Sequence, residues 1–448
     1  GTLITPAIIH RIRRYTPAGI RVGLTMRSKT AYYDPKATSP KFAYRVLRKP
    51  YGTIKDFLPD IPVPHCTAQD YCEFLNVLKT TALQNDLGIP IHITCDMEGD
   101  GSADFFCRGM KYFPSMMGIG FSKDPQLAYD VALAVAKQLA PIGFHWIHSP
   151  VADTNTNHLN PEIGTRSFSD DFSVVSEFSV RAFEGLKDGG LIATGKHFPG
   201  RGESSNDAHS GLPAIDIPKR RLDRHIEPFA KLVQAGIPAI MSAHTMYPAL
   251  DNSGRPASLS KTILTDLLKN ELKFGGVVTT DDITMGGIVE KYEVADACIE
   301  ALNAGNDLIL FRDESALIDE VFPKLVRAVE DKRISQERLN DAVRRTLRVK
   351  AEYGLFKDGG IKQPSCADAG IRDRAVEQIC LESARRSVNV LRCSDGILPV
   401  GRDKKVLLIE QVNPLHKMVN DQSCHPAMLW EKMLKFSDNV YMVEVNMN

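Results

Sequence analysis

The 448-residue chain has no apolar run that approaches the roughly 20 residues needed to span a bilayer. It has no charge excess either: Lys+Arg and Asp+Glu each total 55. A general binder of nucleic acid or of anionic membranes carries a basic surplus, so neither partner is expected. The nine cysteines, scattered from Cys66 to Cys424, form no CxxC pair and no zinc spacing. Reduced thiols in a cytoplasmic protein fit that scatter. The opening GTLITPAIIHRIRRY lacks the basic, apolar, small-residue order of a signal peptide. There is no P-loop and no GxGxxG between a strand and a helix, which argues against nucleotide chemistry. Six histidines (92, 145, 148, 197, 209, 244) could serve as ligands with Asp96 or Asp281, but none forms HxxxH on a helix or HxH on a strand. Neither a metal nor another cofactor is therefore expected.

Short β-branched runs alternate with longer segments whose apolar residues recur every three or four positions. The predicted strands begin at Gly19, Ile89, Phe144, Leu191, Pro238, Phe274 and Asn306. Predicted helices include those starting at Ala68, Pro125, Phe172, Ser260 and Glu293. Alternation of this kind gives an α/β fold with a parallel sheet. A (β/α)8 TIM-type barrel over residues 1–353 suits the count better than an open doubly wound sheet, which remains the alternative. Residues 354–370 read as a linker, rich in Gly, Pro and polar residues. Residues 371–448 read as a small, incomplete α/β domain: a helix, then strands at Ser387–Cys393, Lys404–Gln411 and Asn439–Met447.

Polar residues fall at the C-terminal ends of successive strands: Asp96 and Glu98, Asp153, Lys196 and His197, His244, Asp281 and Asp282. That end of a barrel carries the active site. In VVTTDDITMGG, alternation lets one of the two aspartates face the mouth. Chemistry is assigned to Asp281 and a capping duty to Asp282. The stretch GKHFPGRGESSNDAHSGLP, from Gly195, places Asp207 two residues before His209 on an irregular loop. An aspartate so close can hold an imidazole ready to donate and accept a proton. On the loop alone, an ordinary loop histidine with a local aspartate contact is the better explanation of the pair. Lys196 and His197 suit hydrogen bonding to a polyhydroxylated ligand.

KHFPGRGESSNDAHSGLP resembles the KHFPGHGDT…DSHxxLP loop of glycoside hydrolase family 3, in its β-N-acetylglucosaminidase branch. HSPVADTNTNHLNPEIGTRSFSDD, AIMSAHTMYPALD, the VVTTDDITMGG region and ALNAGNDLILF continue the resemblance in order, from about Ile89 to Phe311. The resemblance implies a retaining glycosidase working through a covalent glycosyl-enzyme. It implies Asp281 as nucleophile and His209, oriented by Asp207, as acid/base. It implies Asp96, Arg166, Lys196 and His197 as sugar-binding residues. Two departures stand out: DMEGDG, from Asp96, lacks the family's following arginine, the nearest being Arg108, and Arg201 stands where histidine is common. The expected substrate is a small carbohydrate, terminal GlcNAc on chitin or peptidoglycan fragments. A β-glucosidase-like or phosphorolytic member of the family is the alternative. A non-catalytic sugar-binding barrel needs no such acid/base set, and a lyase or aldolase needs a strand-end lysine in an apolar pocket.

Overall fold

In the computed structural model, residues 4, 6–22, 66–99, 104–105, 107–209, 211–311, 315–412 and 428–446 are described. Seven parallel strands pair in chain order: β1 Gly19–Arg21, β2 His92–Cys95, β3 Trp146–Ile147, β4 Ile192–Phe198, β5 Ala239–Ser242, β6 Val277–Asp282 and β7 Leu308–Leu310. Sequential order without reversal is the winding of a TIM-like barrel and not of an open doubly wound sheet. All seven fall inside the predicted runs. β2 and β4 to β6 are buried nearly throughout, as expected for strands covered on both faces.

Register explains where the core sits. Trp146 pairs with Ile192, and Ala239 with Val277. These four side chains form a cluster at the N-terminal ends of their strands, joined by Val349 from the helix Gln336–Glu352. One step further along β4, Thr194 accepts the Trp146 indole N–H at 2.6 Å. Beyond that layer the inward residues become charged, and the barrel opens into its mouth.

The helices between strands start where the sequence supplies caps. Thr67 and Asp70 form a reciprocal capping box on Ala68–Leu83. Asp124 caps Pro125–Ile142, and Asp171 caps Phe172–Asp188. The segment Thr262–Glu271, predicted as an ordinary helix, is a π-helix. The opening residues Pro6–Tyr15 are an amphipathic helix, anchored by Arg11 and Tyr15 on Asp319. No helix among the described residues is long and apolar enough to cross a membrane.

Residues 354–370 lie against the barrel: the Gly360 carbonyl accepts from Lys79 Nζ at 2.7 Å, and Lys362 exchanges two hydrogen bonds with Asn76. The helix Arg374–Ser387 also packs on barrel elements, with Cys380 Sγ on the Tyr112 carbonyl and Arg386 on Asp124. The strand expected at Ser387–Cys393 is absent; the helix runs to Ser387 and irregular chain follows. Its alternating apolar residues find no neighbouring strand, and Val388, Val390 and Leu391 stay exposed. Last come β8 Val406–Val412 and β9 Val440–Asn446, parallel and paired only to each other among the described residues. Eight cysteines are free thiols; Cys424 lies outside the described residues.

Candidate active site

The mouth is built from strand ends that the barrel brings to one level. Asp96 and Glu98 follow β2, Lys196 and His197 end β4, and Asp281 nears the end of β6. The β4–β5 register shifts between Gly195 and Phe198, and both Lys196 and His197, neighbours in sequence, reach the same site.

One side of the mouth is an alternating ladder of buried charges. Lys196 Nζ lies 2.5 Å from Asp96 Oδ1 and 2.5 Å from Glu98 Oε1. Arg21 from β1 holds the other Asp96 oxygen and also lies 2.5 Å from Asp104. Arg166 forks onto Glu98 at 2.6 and 3.1 Å. Burial pushes both carboxyls up, but Lys196 and Arg21 hold Asp96 well below the ordinary carboxylate range. Glu98 is lowered as well, by Arg166 and Lys196. For Asp104 burial wins over Arg21, and the carboxyl rises to about 7.

His197 is fixed from below. Asp153, fully buried, accepts from His197 Nδ1 at 2.7 Å, from the His197 N–H at 3.1 Å and from the Arg201 N–H at 2.6 Å. The ring's Nε2 then faces two guanidinium donors, Arg201 at 3.3 Å and Arg166 at 3.4 Å. Burial first, and those cations second, push the imidazole well below its ordinary value, so it is neutral with its proton on Nδ1.

Asp281 stands opposite. Its Oδ1 accepts the Asp282 N–H at 2.8 Å, and its Oδ2 faces Arg201 Nη1 at 3.5 Å and His197 Nε2 at 3.8 Å. Burial would raise this carboxyl, but Arg201, His244, Lys196 and the Asp282 N–H together hold it at about 2. It is therefore an anion throughout the physiological range, with one oxygen open to the mouth. Asp282 turns the other way and caps the turn, accepting from Thr284 Oγ1 at 2.8 Å and from the Thr284 N–H at 3.1 Å.

The loop after β4 brings His209 to the rim, half exposed. Its Nδ1 lies 2.7 Å from Asp207 Oδ1, which also accepts the His209 N–H at 2.8 Å. Burial opposes ionisation of Asp207, but these two hydrogen bonds outweigh it and lower the carboxyl. The ring meets Asp207 and Glu162 through Nδ1, and the half-exposed side chain keeps Nε2 as its second ring nitrogen for a further partner. The close fit of the loop needs Gly202, where a Cβ would lie 1.7 Å from the Thr154 carbonyl oxygen.

All seven residues singled out in the sequence thus meet around one mouth. Among the charged residues that complete it, Arg21 and Glu162 are not singled out by the sequence, and Arg201 stands out there only as a departure from the family loop. Arg21 supplies the cation on Asp96, whereas Arg108, the arginine nearest to DMEGDG, is exposed. A single charge in the apolar run GIRVGLT was the available signal. Arg201 is only 1% exposed and ties Asp281 to the buried Glu162. Glu162 itself gave no signal, because its partners come from a different loop. The other four candidate ligand histidines, His92, His145, His148 and His244, are buried: His145 accepts the Ile93 N–H, His148 lies between Thr94 and Thr194, and His244 lies between Ser258 and the Asp282 carbonyl. Among the described residues, Glu162, Asp207 and His209 form the group whose donor atoms, within 4.8 Å of one another, could share a metal ion. Each already has a partner in Arg201 or in the other two.

Residues 66–349 match the N-terminal domain of glycosyl hydrolase family 3. The chain is 30% identical to β-hexosaminidase A of Pseudoalteromonas piscicida over 74% of its own length, and spans 58% of that relative. It is 33% identical to a β-hexosaminidase of Methylobacillus flagellatus, covering 53% of this chain and 68% of that one. A solved family 3 β-N-acetylglucosaminidase from Paenibacillus sp. str. FPU-7 superposes with a TM-score of 0.77 at 29% identity, over 85% of this chain and 72% of the other. With a domain match over most of the chain, and relatives that share both sequence and barrel, the chain belongs to glycosyl hydrolase family 3.

Proposed function

We propose that this barrel is a retaining exo-β-N-acetylglucosaminidase that removes terminal GlcNAc from chitin or peptidoglycan fragments. The observation that supports the reading is a pair of groups joined through Glu162 and Arg201 at one end of the strands. One is a buried carboxylate held ionised; the other is an exposed imidazole oriented by its own aspartate. Asp281 attacks the anomeric carbon as the bond to the leaving oxygen breaks, and His209 Nε2 gives that oxygen its proton. Water then attacks the same carbon, His209 takes a proton from it, and the ester to Asp281 breaks to release the sugar. The transition state is oxocarbenium-like, and the Asp281 anion stabilises its positive charge.

Asp96, Arg166, Lys196 and His197 hold the sugar. Asp96 is already paired with Lys196, Arg166 with Glu98, and His197 is held by Asp153, so the pocket is set before ligand arrives and little reorganisation is needed. The β-hexosaminidase and β-N-acetylglucosaminidase names of the relatives support the choice of sugar. The same reading takes the seven strands as part of a closed (β/α)8 barrel, with residues 371–448 as a second, smaller unit.

The test is release from chromogenic β-GlcNAc, β-glucose and β-xylose substrates, with and without inorganic phosphate. Fast GlcNAc release, unaltered by phosphate and lost in Asp281→Ala, is the expected result. Preference for glucose, or a sugar phosphate product, replaces this assignment with the β-glucosidase-like or phosphorolytic one.

A further inference from the structure

Asp207 can set the tautomer of His209, but it cannot hold the histidine in place, because both ride on one loop. A group outside that loop has to seat it. Glu162, in the connection after β3, meets the requirement. Its side chain is only 3% exposed, and its Oε1 lies 3.5 Å from His209 Nδ1. Its Oε2 accepts the Ala208 N–H at 3.5 Å. The same carboxylate is ion-paired to Arg201, at the other end of the loop. Asn160 strengthens the grip: its Nδ2 donates to the Arg201 carbonyl at 2.9 Å, while its Oδ1 accepts the Glu162 N–H at 2.9 Å and the Ile163 N–H at 2.8 Å. The Glu162 connection therefore clamps the histidine loop at residue 201 and again at residues 208 and 209.

A buried carboxylate is costly unless paired, and Arg201 supplies the charge. Arg201 in turn faces Asp281 at 3.5 Å. A continuous bridge runs from Asp281 through Arg201 and Glu162 to His209. We propose that Glu162 is a positioning residue that seats the His209 loop where Nε2 meets the leaving oxygen, with Arg201 as its buried counter-ion. The proposal rests on His209 being the acid/base. A role confined to neutralising Arg201 is the competing account, and leaving-group chemistry separates the two. A leaving group that needs protonation depends on where His209 sits; one that departs unaided does not.

The experiment compares kcat/KM for phenyl and 2,4-dinitrophenyl β-N-acetylglucosaminides in the full chain, in His209→Ala and in Glu162→Gln. His209→Ala sets the scale: its phenyl rate is expected to fall by about 100-fold or more while the dinitrophenyl rate changes far less. Glu162→Gln is expected to lower the phenyl rate by roughly tenfold or more, with the dinitrophenyl rate within about threefold of the parent. Glu162→Gln/Arg201→Met removes both buried charges and gives the same ratio readout if the single variant does not fold. A phenyl-to-dinitrophenyl ratio that stays at the parent's value in the Glu162 variants, while His209→Ala changes it, overturns the positioning role alone. A ratio unchanged in His209→Ala overturns the acid/base assignment itself.

Discussion

Replacing Arg201 by Met should bring the ionisation of Asp281 into the range where activity can report it. In the parent, Asp281 is held at about 2, below its free value of 3.8. A carboxyl lowered in this way adds stability above its free value, and that stability is lost as pH falls through about 2. The cation closest to it is the Arg201 guanidinium, 3.5 Å away. At an effective dielectric constant of about 20, a unit charge at that distance contributes about 4–5 kcal/mol. At 1.36 kcal/mol for each tenfold change, complete removal is worth about 3 pH units. Water filling the vacated space screens part of it, so the acid limb of kcat/KM is expected to rise by about 1 to 3 pH units. Arg201→Met/Glu162→Gln is the better variant for the measurement, because Glu162 is not left as a second unpaired buried carboxylate. The assay is a short initial-rate profile on the dinitrophenyl substrate, with folding checked at each pH by circular dichroism. If no new acid limb appears while the protein stays folded, Arg201 does not hold Asp281 ionised, and the electrostatic account of the nucleophile is refuted.

Two further outcomes follow from the same geometry. Lys196→Met leaves Asp96 and Glu98 buried with one cation fewer, and is expected to cost about 3–5 kcal/mol in urea unfolding; a loss below about 1 kcal/mol would mean Arg21 and Arg166 satisfy those carboxylates unaided. Gly202→Ala puts a methyl against the Thr154 carbonyl, where 1.7 Å is available, and must displace the histidine loop. Its kcat should fall by at least about tenfold, with most of the melting temperature retained, since a misplacement of one ångström is enough to cost about 100-fold. Parent-like turnover would show that the loop's path does not matter to catalysis.

Much of this arrangement was legible in the chain because it is local. The strand ends at Asp96, Lys196 and Asp281 follow β-branched runs, and burial on both faces is what makes such runs recognisable. Asp207 and His209 are two residues apart, so their hydrogen bond needs no knowledge of the fold. The roles of Arg21, Glu162 and Arg201 escaped because their meaning lies in pairs 75 residues apart for Arg21–Asp96 and 39 for Glu162–Arg201. An arginine within a short strand could equally have faced solvent. The stretch after Ser387 misled in the opposite direction: its alternation is that of a strand, but a strand exists only when a neighbour accepts its hydrogen bonds. The π-helix Thr262–Glu271 carries apolar residues at helical steps, and periodicity alone does not distinguish the wider winding.

The central claim is that Asp281 forms the covalent bond to the sugar. The direct measurement is the mass of the protein after brief reaction with a 5-fluoro-GlcNAc derivative bearing an activated leaving group, followed by peptide mapping. The account predicts one added glycosyl mass on the peptide containing Asp281, absent in Asp281→Ala. A label on any other side chain, or turnover of the natural β-linkage with inverted configuration and no adduct, would contradict it.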